Sequence, residues 1–466
     1  MSGRQPLDEA RFTSGEPRPE YHLALAALNA RDLRALEAEM VAGAAACQMV
    51  HGAGAAEHPF PFDPVPRIVR ADEWRALAEG CVQRVRALDA FMSDVHEKQE
   101  ALRAGVVPRE VIESCPWFER DLVGAPPPAV GIGVAGPDVV RGADGRLVVL
   151  EDNVRTPTMM AYAVAGRRLV RRVFGSDAAP GGVDAVLRDA LCTVLRASAP
   201  WTAEPFAVIL TEGAGNALRW EIEELGRLLG IAVLKPADVR VRAGRLVTAG
   251  EGRTIDVIWR RTSEERLRDD AGRLNALGQA LIEPLTQGRL AVVNAFGTGV
   301  ADDKRVFARV GDLIRFFLGE EPKLDSAPTY ELASPEERRI VLERLDELVV
   351  KPRDGSGGQG VFIGPTARRS DIDAIRRAVQ ADPGRWIAQE TVALSTHPIV
   401  ADGKLEPRHV DLRPYVVATP AGFQAIRLAF CRFAPTAGDM VVNCSRGGGG
   451  KDVWIEGDAG IARDAP

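Results

Sequence analysis

Apolar positions in residues 21–47 are Ala- and Leu-rich and recur with a helical period. In residues 71–104, Trp74, Leu77, Cys81, Val85 and Leu88 follow at three- and four-residue steps, which predicts a second long helical stretch. Asp72 and Glu73 sit favourably near its N-terminus. The period then shortens. Val139-Val140 and Leu147-Val148-Val149-Leu150 flank Asp144-Gly145, the pattern of a β-hairpin. Residues 161–199 return to the helical period. From Phe206 onwards, short buried-type strands (206–210, 231–234, 256–260, 291–295) alternate with helical segments (216–229, 274–282), which predicts a small parallel α/β domain.

A different pattern organises the C-terminal third. Val349-Val350-Lys351-Pro352 and Val361-Phe362-Ile363 are short apolar runs on either side of Gly355-Ser356-Gly357-Gly358-Gln359-Gly360. The second run ends at Gly364-Pro365, too early for a helix, so the reading is strand, loop, strand. The spacing matches G-x-G-x-x-G, but a dinucleotide fingerprint needs a helix after the loop. A glycine-rich hairpin loop that closes over a triphosphate fits better, with Lys351 entering from the preceding strand as a point charge for phosphate. A second match, Gly131-Ile132-Gly133-Val134-Ala135-Gly136, has prolines before it and Pro137 after it, and is rejected as a nucleotide loop.

The acidic hairpin is the complement. Alternation puts Glu151 and Asn153 on one strand face and Asp152 on the other, and the turn brings Asp138 across to the first pair. Three oxygen-bearing side chains on one face suit Mg²⁺ held together with phosphates. Lys304 follows Asp302-Asp303 at the start of a helix, where a cation is unfavourable, so it needs a partner elsewhere.

Composition narrows the setting. The chain has 466 residues, 46% hydrophobic and 27% charged, enough for several domains. The net charge of −6 argues against a nucleic-acid binder. No run approaches a membrane span, and the polar first twenty residues carry no secretory signal. Six scattered cysteines without C-x-x-C predict free thiols and a cytoplasmic setting. The helices over 21–47 and 71–104 are read as scaffold or oligomer contact, which leaves a homo-oligomer open.

Together Lys304, Lys351, the 355–360 loop, Gln389-Glu390 and the Asp138/Glu151/Asn153 set resemble the parts of an ATP-grasp enzyme. The acidic strands come first here, whereas they usually come last. The chain therefore resembles the circularly permuted ATP-grasp proteins of type 2, over roughly residues 137–454. Further stretches carry the likeness: Glu151-Asp152-Asn153-Val154-Arg155, Trp259-Arg260-Arg261, Asn294-Ala295-Phe296-Gly297, Asp411-Leu412-Arg413 and Asn443-Cys444-Ser445-Arg446.

The resemblance implies an α/β (α+β) fold. It implies a flexible tail (1–20), a helical region (21–125), a permuted part of the ATP-grasp domain with the metal hairpin (126–200), a pre-ATP-grasp-like α/β domain (201–295) and the nucleotide-binding subdomains (296–466). It also implies ATP and Mg²⁺ as cofactors. Lys304, Lys351, Gly355, Ser356, Gly357, Gly358, Gln359 and Gly360 would meet the phosphates. Gln389 and Glu390 would sit at adenine and ribose, and Asp138, Glu151 and Asn153 would hold the metal. Arg155 and Arg432 would stabilise an acyl-phosphate or its transition state, with Arg141 and Arg413 as weaker candidates. The implied activity is a carboxylate–amine (or thiol) ligase acting on small-molecule or peptide substrates. A regulatory nucleotide-binding protein and a small-molecule kinase are the alternatives. Departures fall at Thr158-Met159, at Thr262-Ser263-Glu264 after Arg261, and at Ala429-Phe430 before Arg432.

Overall fold

The computed structural model of the chain describes residues 6–175, 179–213, 215–355 and 357–457. The expected hairpin forms: Asp138–Arg141 pairs antiparallel with Leu147–Glu151, with Asp138 opposite Glu151. Strand Asp325–Ser326 adds to its other edge. The second hairpin also forms, with Leu348–Pro352 antiparallel to Phe362–Ile363. It belongs to a four-stranded antiparallel sheet completed by Trp386–Glu390 and Thr329–Glu331.

A five-stranded sheet runs in the order Phe62–Val69, Gly449–Ile455, Gly422–Phe433, Arg413–Thr419, Val134–Ala135. Val139 and Leu412 exchange both backbone hydrogen bonds, at 2.9 and 2.8 Å, so the acidic hairpin is tied to this sheet. The strands Ala291–Val293, Val257–Arg261, Ala207–Thr211 and Ala232–Leu234 lie parallel in that order, the predicted α/β unit. The hairpin Val239–Arg242/Arg245–Thr248 beside it has no counterpart in the sequence reading. The rejected 131–136 stretch is an extended connection. Asn294 Oδ1 accepts from the Gly133 and Val134 amides, and its Nδ2 donates to the Val134 and Val154 carbonyls.

Helix Ala71–His96 is central scaffold, with Trp74, Leu77, Cys81, Val85 and Leu88 all buried. It stops short of the predicted 104. The Asp94 carboxylate accepts from the Glu100 and Ala101 amides, which starts a separate short helix, Glu100–Arg103. The 21–47 stretch likewise divides into His22–Asn29 and Leu33–Ala46, the second capped by Asp32.

Three buried ion pairs, two of them sharing Glu9, lock distant parts of the chain. Arg84 of the central helix holds Asp152 through two bonds, at 3.0 and 2.7 Å, just past the acidic strand. Glu9 pairs with Arg67 at 2.8 Å and with Arg141 at 3.2 Å, and accepts from the Ser395 hydroxyl. Burial acts to raise the Glu9 pKa, but the two guanidiniums win and hold it at about 2. Residues 6–20, expected as a loose tail, are therefore docked. Their polar composition misled because the partners of Glu9 lie far away in sequence. All six cysteines are free, and burial pushes the thiols of Cys81, Cys431 and Cys444 up to about 12. Among the described residues no helix is long and apolar enough to cross a membrane.

Alternation puts Asp152 on the face away from Glu151 and Asn153, outside the expected metal set. There it is buried against Arg84. Asp152→Asn leaves a buried guanidinium without a counter-charge and should cost about 3 kcal/mol of stability. Urea unfolding checks this; an unchanged midpoint would mean the pair contributes nothing.

Candidate active site

The two hairpins face each other across a cleft of about 960 Å³, open mouth included. The β-bulge between Asp138 and Val139 sets Asp138 against Glu151 at the end of the acidic strand. The Leu348–Pro352 strand delivers Lys351 to the opposite wall. Asp303 caps the Lys304–Phe307 helix by accepting from the Arg305 amide, which fixes Lys304 at its first position. The partner expected for Lys304 is there: its Nζ donates to the Gly355 carbonyl at 2.7 Å and lies 3.5 Å from Glu151. One ammonium thus joins the glycine loop to the acidic hairpin.

Lys351 is the more perturbed cation. Burial pushes its pKa down to about 8; Glu151 opposes this and the neighbouring Lys304 adds to it. Lys351 Nζ donates to Gln389 Oε1. The Gln389 amide nitrogen donates to the Leu150 carbonyl and to Thr329, both at 3.1 Å. Gln389 therefore joins the two walls and orients Lys351, so its side chain is not directed to the mouth. Glu390 is at the mouth, held by Arg344 at 2.8 and 3.0 Å and by the Tyr330 hydroxyl at 2.7 Å.

In the loop, Gly355, Gly357, Gly358 and Gln359 line the cleft, whereas Gly360 does not. Gly358 has φ +72°, and a Cβ there would meet Val441 at 3.3 Å, so glycine suits both the backbone and the close segment opposite. Ser356 lies outside the described residues.

At the inner end Asp138 is clamped. Arg413 binds both its oxygens, at 2.7 and 2.9 Å, and Arg432 donates to it at 2.6 Å. Burial alone would raise the Asp138 pKa, but the two guanidiniums hold it well below the usual carboxylate range. Arg432 also grips Asp411. There burial dominates and the Asp411 pKa is raised. Thr158 supports the cluster, accepting from Arg413 at 3.0 Å. At the Ala429-Phe430 departure, Phe430 is buried against Phe60 and Phe62, and a Cβ on Gly450 would meet its ring at 2.5 Å. Gly450 thus makes room for the larger side chain.

Two site candidates stand apart. Neither Asn153 nor Arg155 lines the cleft. Asn153 Nδ2 is buried without a hydrogen-bond partner. Arg155 stacks on Trp117 with its guanidinium 4.4 Å from the ring centre and pairs with Glu265 at 3.2 Å. Arg141 is engaged by Glu9 and Glu73. Asp411 and Asn443 line the cleft and were not singled out from sequence as site residues. The available signal for Asp411 was its i, i+2 relation to Arg413, which puts both charges on one strand face.

The donor chemistry suits a cation shared with phosphate oxygens. Glu151 faces the cleft beside two ammoniums, with Asp138 directly opposite it. Among the described residues no group of three or more His, Cys, Asp or Glu side chains is arranged to hold an ion by itself.

The family model of the circularly permuted ATP-grasp type 2 proteins matches residues 66–434. The chain belongs to that family. A Frankia alni protein named "Putative glutamate--cysteine ligase 2-3" is 41% identical over 96% of this chain and 53% of its own length. A Frankia casuarinae protein of similar name is 42% identical over 86% of this chain and 47% of its own. The chain thus spans about half the length of these relatives. An uncharacterised Mycobacterium tuberculosis protein is 40% identical over 86% of this chain and 74% of its own. Among solved structures, a glutathione synthetase-like effector from Globodera pallida aligns with TM-score 0.59 at 12% identity, over 91% of this chain and 98% of that one. That likeness concerns the fold alone.

Lys304→Met removes the donor to Gly355. Loss of one charge-assisted hydrogen bond, about 1.5 kcal/mol, should speed amide exchange in the 355–360 loop roughly tenfold. Hydrogen exchange of the ligand-free protein measures it; unchanged protection would show that Lys304 does not restrain the loop.

Proposed function

We propose that the protein is an ATP- and Mg²⁺-dependent carboxylate–amine ligase, with a thiol as a less common acceptor. The observation that carries this reading is the meeting of Lys304, Lys351 and Glu151 beneath the glycine loop, from segments some two hundred residues apart. The names of the Frankia relatives support the same class.

In this reading the loop backbone covers the phosphates, Lys304 and Lys351 neutralise them, and Glu390 faces the ribose. Glu151 would be the first protein ligand of the metal and Asp138, opposite it, the second. Mg²⁺ would supply charge neutralisation on the β- and γ-phosphates. A substrate carboxylate oxygen attacks the γ-phosphorus, and the bond to the β–γ bridging oxygen breaks, giving an acyl-phosphate and ADP. An amine then attacks the acyl carbon, phosphate departs and the nitrogen loses a proton. The protein's part is positioning and charge neutralisation, which needs no nucleophilic side chain. Arg432, held between Asp138 and Asp411, faces the inner end of the cleft and stabilises charge on the transferring group.

Glu151→Gln keeps the shape and removes the charge. It should leave folding intact and lower ADP release at least a hundredfold, the size expected when one preorganised charge contact worth roughly 3 kcal/mol is lost. Release measured with Mg²⁺ titrated tests the assignment, and wild-type turnover in this variant would sink it. ADP release that also requires an added amine separates ligation from a kinase reaction and from regulatory nucleotide binding.

The low Lys351 pKa gives a pH signature. The ammonium binds phosphate and the free amine does not. Mg-ATP affinity should therefore fall as pH rises through about 8, by up to about tenfold per unit. Lys351→Arg, charged throughout, should flatten the profile. Calorimetry between pH 6.5 and 9.5 (roughly one pK unit or more on each side) distinguishes the outcomes; a flat wild-type profile would remove Lys351 from the phosphate site.

A further inference from the structure

A second cavity lies apart from the cleft between the hairpins. It holds about 780 Å³, open mouth included, and shares no lining residue with that cleft. The Ala125-Pro126-Pro127-Pro128-Ala129-Val130 stretch, just before the rejected glycine match, forms one rim. The ends of helices Ala71–His96 and Asp184–Ser198, the end of helix Ala276–Thr286 and the strand Ala291–Val293 supply most of the rest. Leu122, Leu290, Val292 and Phe296 make the walls mainly apolar, and the volume falls in the range of small-molecule pockets.

Two features say what an occupant would carry. The first is charge. Among the described residues that line the cavity there is no Lys or Arg, and the one carboxylate is Glu97, which is exposed. A phosphate or carboxylate would find no counter-ion here, in contrast to the cleft with Lys304 and Lys351.

The second feature is His96, which lines the cavity and is only 7% exposed. Its Nδ1 lies 2.9 Å from the Met92 carbonyl of the same helix. A carbonyl only accepts, so Nδ1 carries the proton and donates. Burial holds the imidazole pKa below its usual value, which keeps the ring neutral and makes Nε2 an acceptor. Nε2 is buried without a hydrogen-bond partner. Gly297, at φ +88°, keeps that edge of the ring clear, because a Cβ there would sit 2.8 Å from Nε2. Two neighbouring hydroxyls cannot serve it as they stand. Ser198 Oγ donates to the Val194 carbonyl at 2.8 Å, and Thr286 Oγ1 to the Ile282 carbonyl at 3.0 Å. The prolines of the rim have no backbone N–H to offer. Buried acceptors are rarely left unpaired, so this one calls for a donor from outside the chain. We infer that the cavity is a second ligand site, for a small apolar molecule that carries an N–H or O–H donor and no negative charge, with the donor meeting His96 Nε2. Trp201, 43% exposed and also lining the cavity, covers the apolar body from the solvent side. The site stands whether or not the ligase reading does.

Indole is the probe, because it joins an apolar body to one N–H. 1-Methylindole is the match without the donor, and indole-3-acetate the match with a negative charge. Calorimetry on the full chain at neutral pH measures all three. Indole should saturate one site with a Kd of about 1 mM or tighter, and indole-3-acetate should not bind. 1-Methylindole should bind about tenfold more weakly than indole, the effect of one lost hydrogen bond. His96→Phe keeps a ring of similar size and removes the acceptor, so it should bind the two indoles alike. Trp201→Ala, at a half-exposed position where folding is not at stake, should weaken both roughly threefold or more and preserve the preference for indole. Equal binding of indole and 1-methylindole by the parent protein would mean that water serves His96, and would overturn the inference. So would the absence of saturable indole binding, indole binding indifferent to Trp201→Ala, or a preference for indole that survives in His96→Phe.

Discussion

A carboxylate as deeply buried as that of Asp138 stays ionised only if cations replace the water it has lost. Arg413 and Arg432 do so, from positions 275 and 294 residues further along the chain. The arrangement works in both directions, because each buried guanidinium needs an anion as much as Asp138 needs a cation. The Val139–Leu412 backbone pair lies beside the clamp, so electrostatics and sheet registry act on the same junction. A permuted chain has to bring an early acidic hairpin to the late glycine-loop hairpin, and this junction does it. The Gln389 amide completes the link, since its donor reaches Leu150 on the acidic strand and its acceptor orients Lys351.

Much of this was readable from the chain because the decisive signals are local. The Asp144-Gly145 turn, the alternation that groups Glu151 with Asn153, and the glycines between two short apolar runs each depend on neighbours a few residues apart. The parallel α/β unit was legible for the same reason. What stayed hidden depends on partners far off. Residues 6–20 have a loose composition, yet Glu9 is anchored by Arg67 and Arg141. Asp152 looked like the solvent side of a strand end, but Arg84 of the central helix takes it inside. Asp411 alternates with apolar neighbours like any half-buried strand residue, and its charge is internal only because Arg432 is there. Gln389 lines the cleft, and its side chain is directed inward by Lys351 and Leu150. A linear pattern says which face a side chain takes, and does not say whether that face meets water or an ion pair.

The cleft and the carboxyl end of the parallel sheet differ in charge balance. In the cleft burial lowers the Lys351 pKa, Glu151 opposes the fall and the neighbouring Lys304 adds to it. At the carboxyl end of the parallel sheet, Arg155 and Arg260 pair with Glu264 and Glu265. Asp302 belongs to both ends: burial raises its pKa, while Arg155 on one side and Lys304 on the other favour its ionised form. Because its carboxylate also fixes the Val154 and Arg155 amides, a shift in either cation changes the field at the other end through one group. Asp302 thus ties the backbone at Val154 and Arg155 to the neighbourhood of Lys304 through one buried acid.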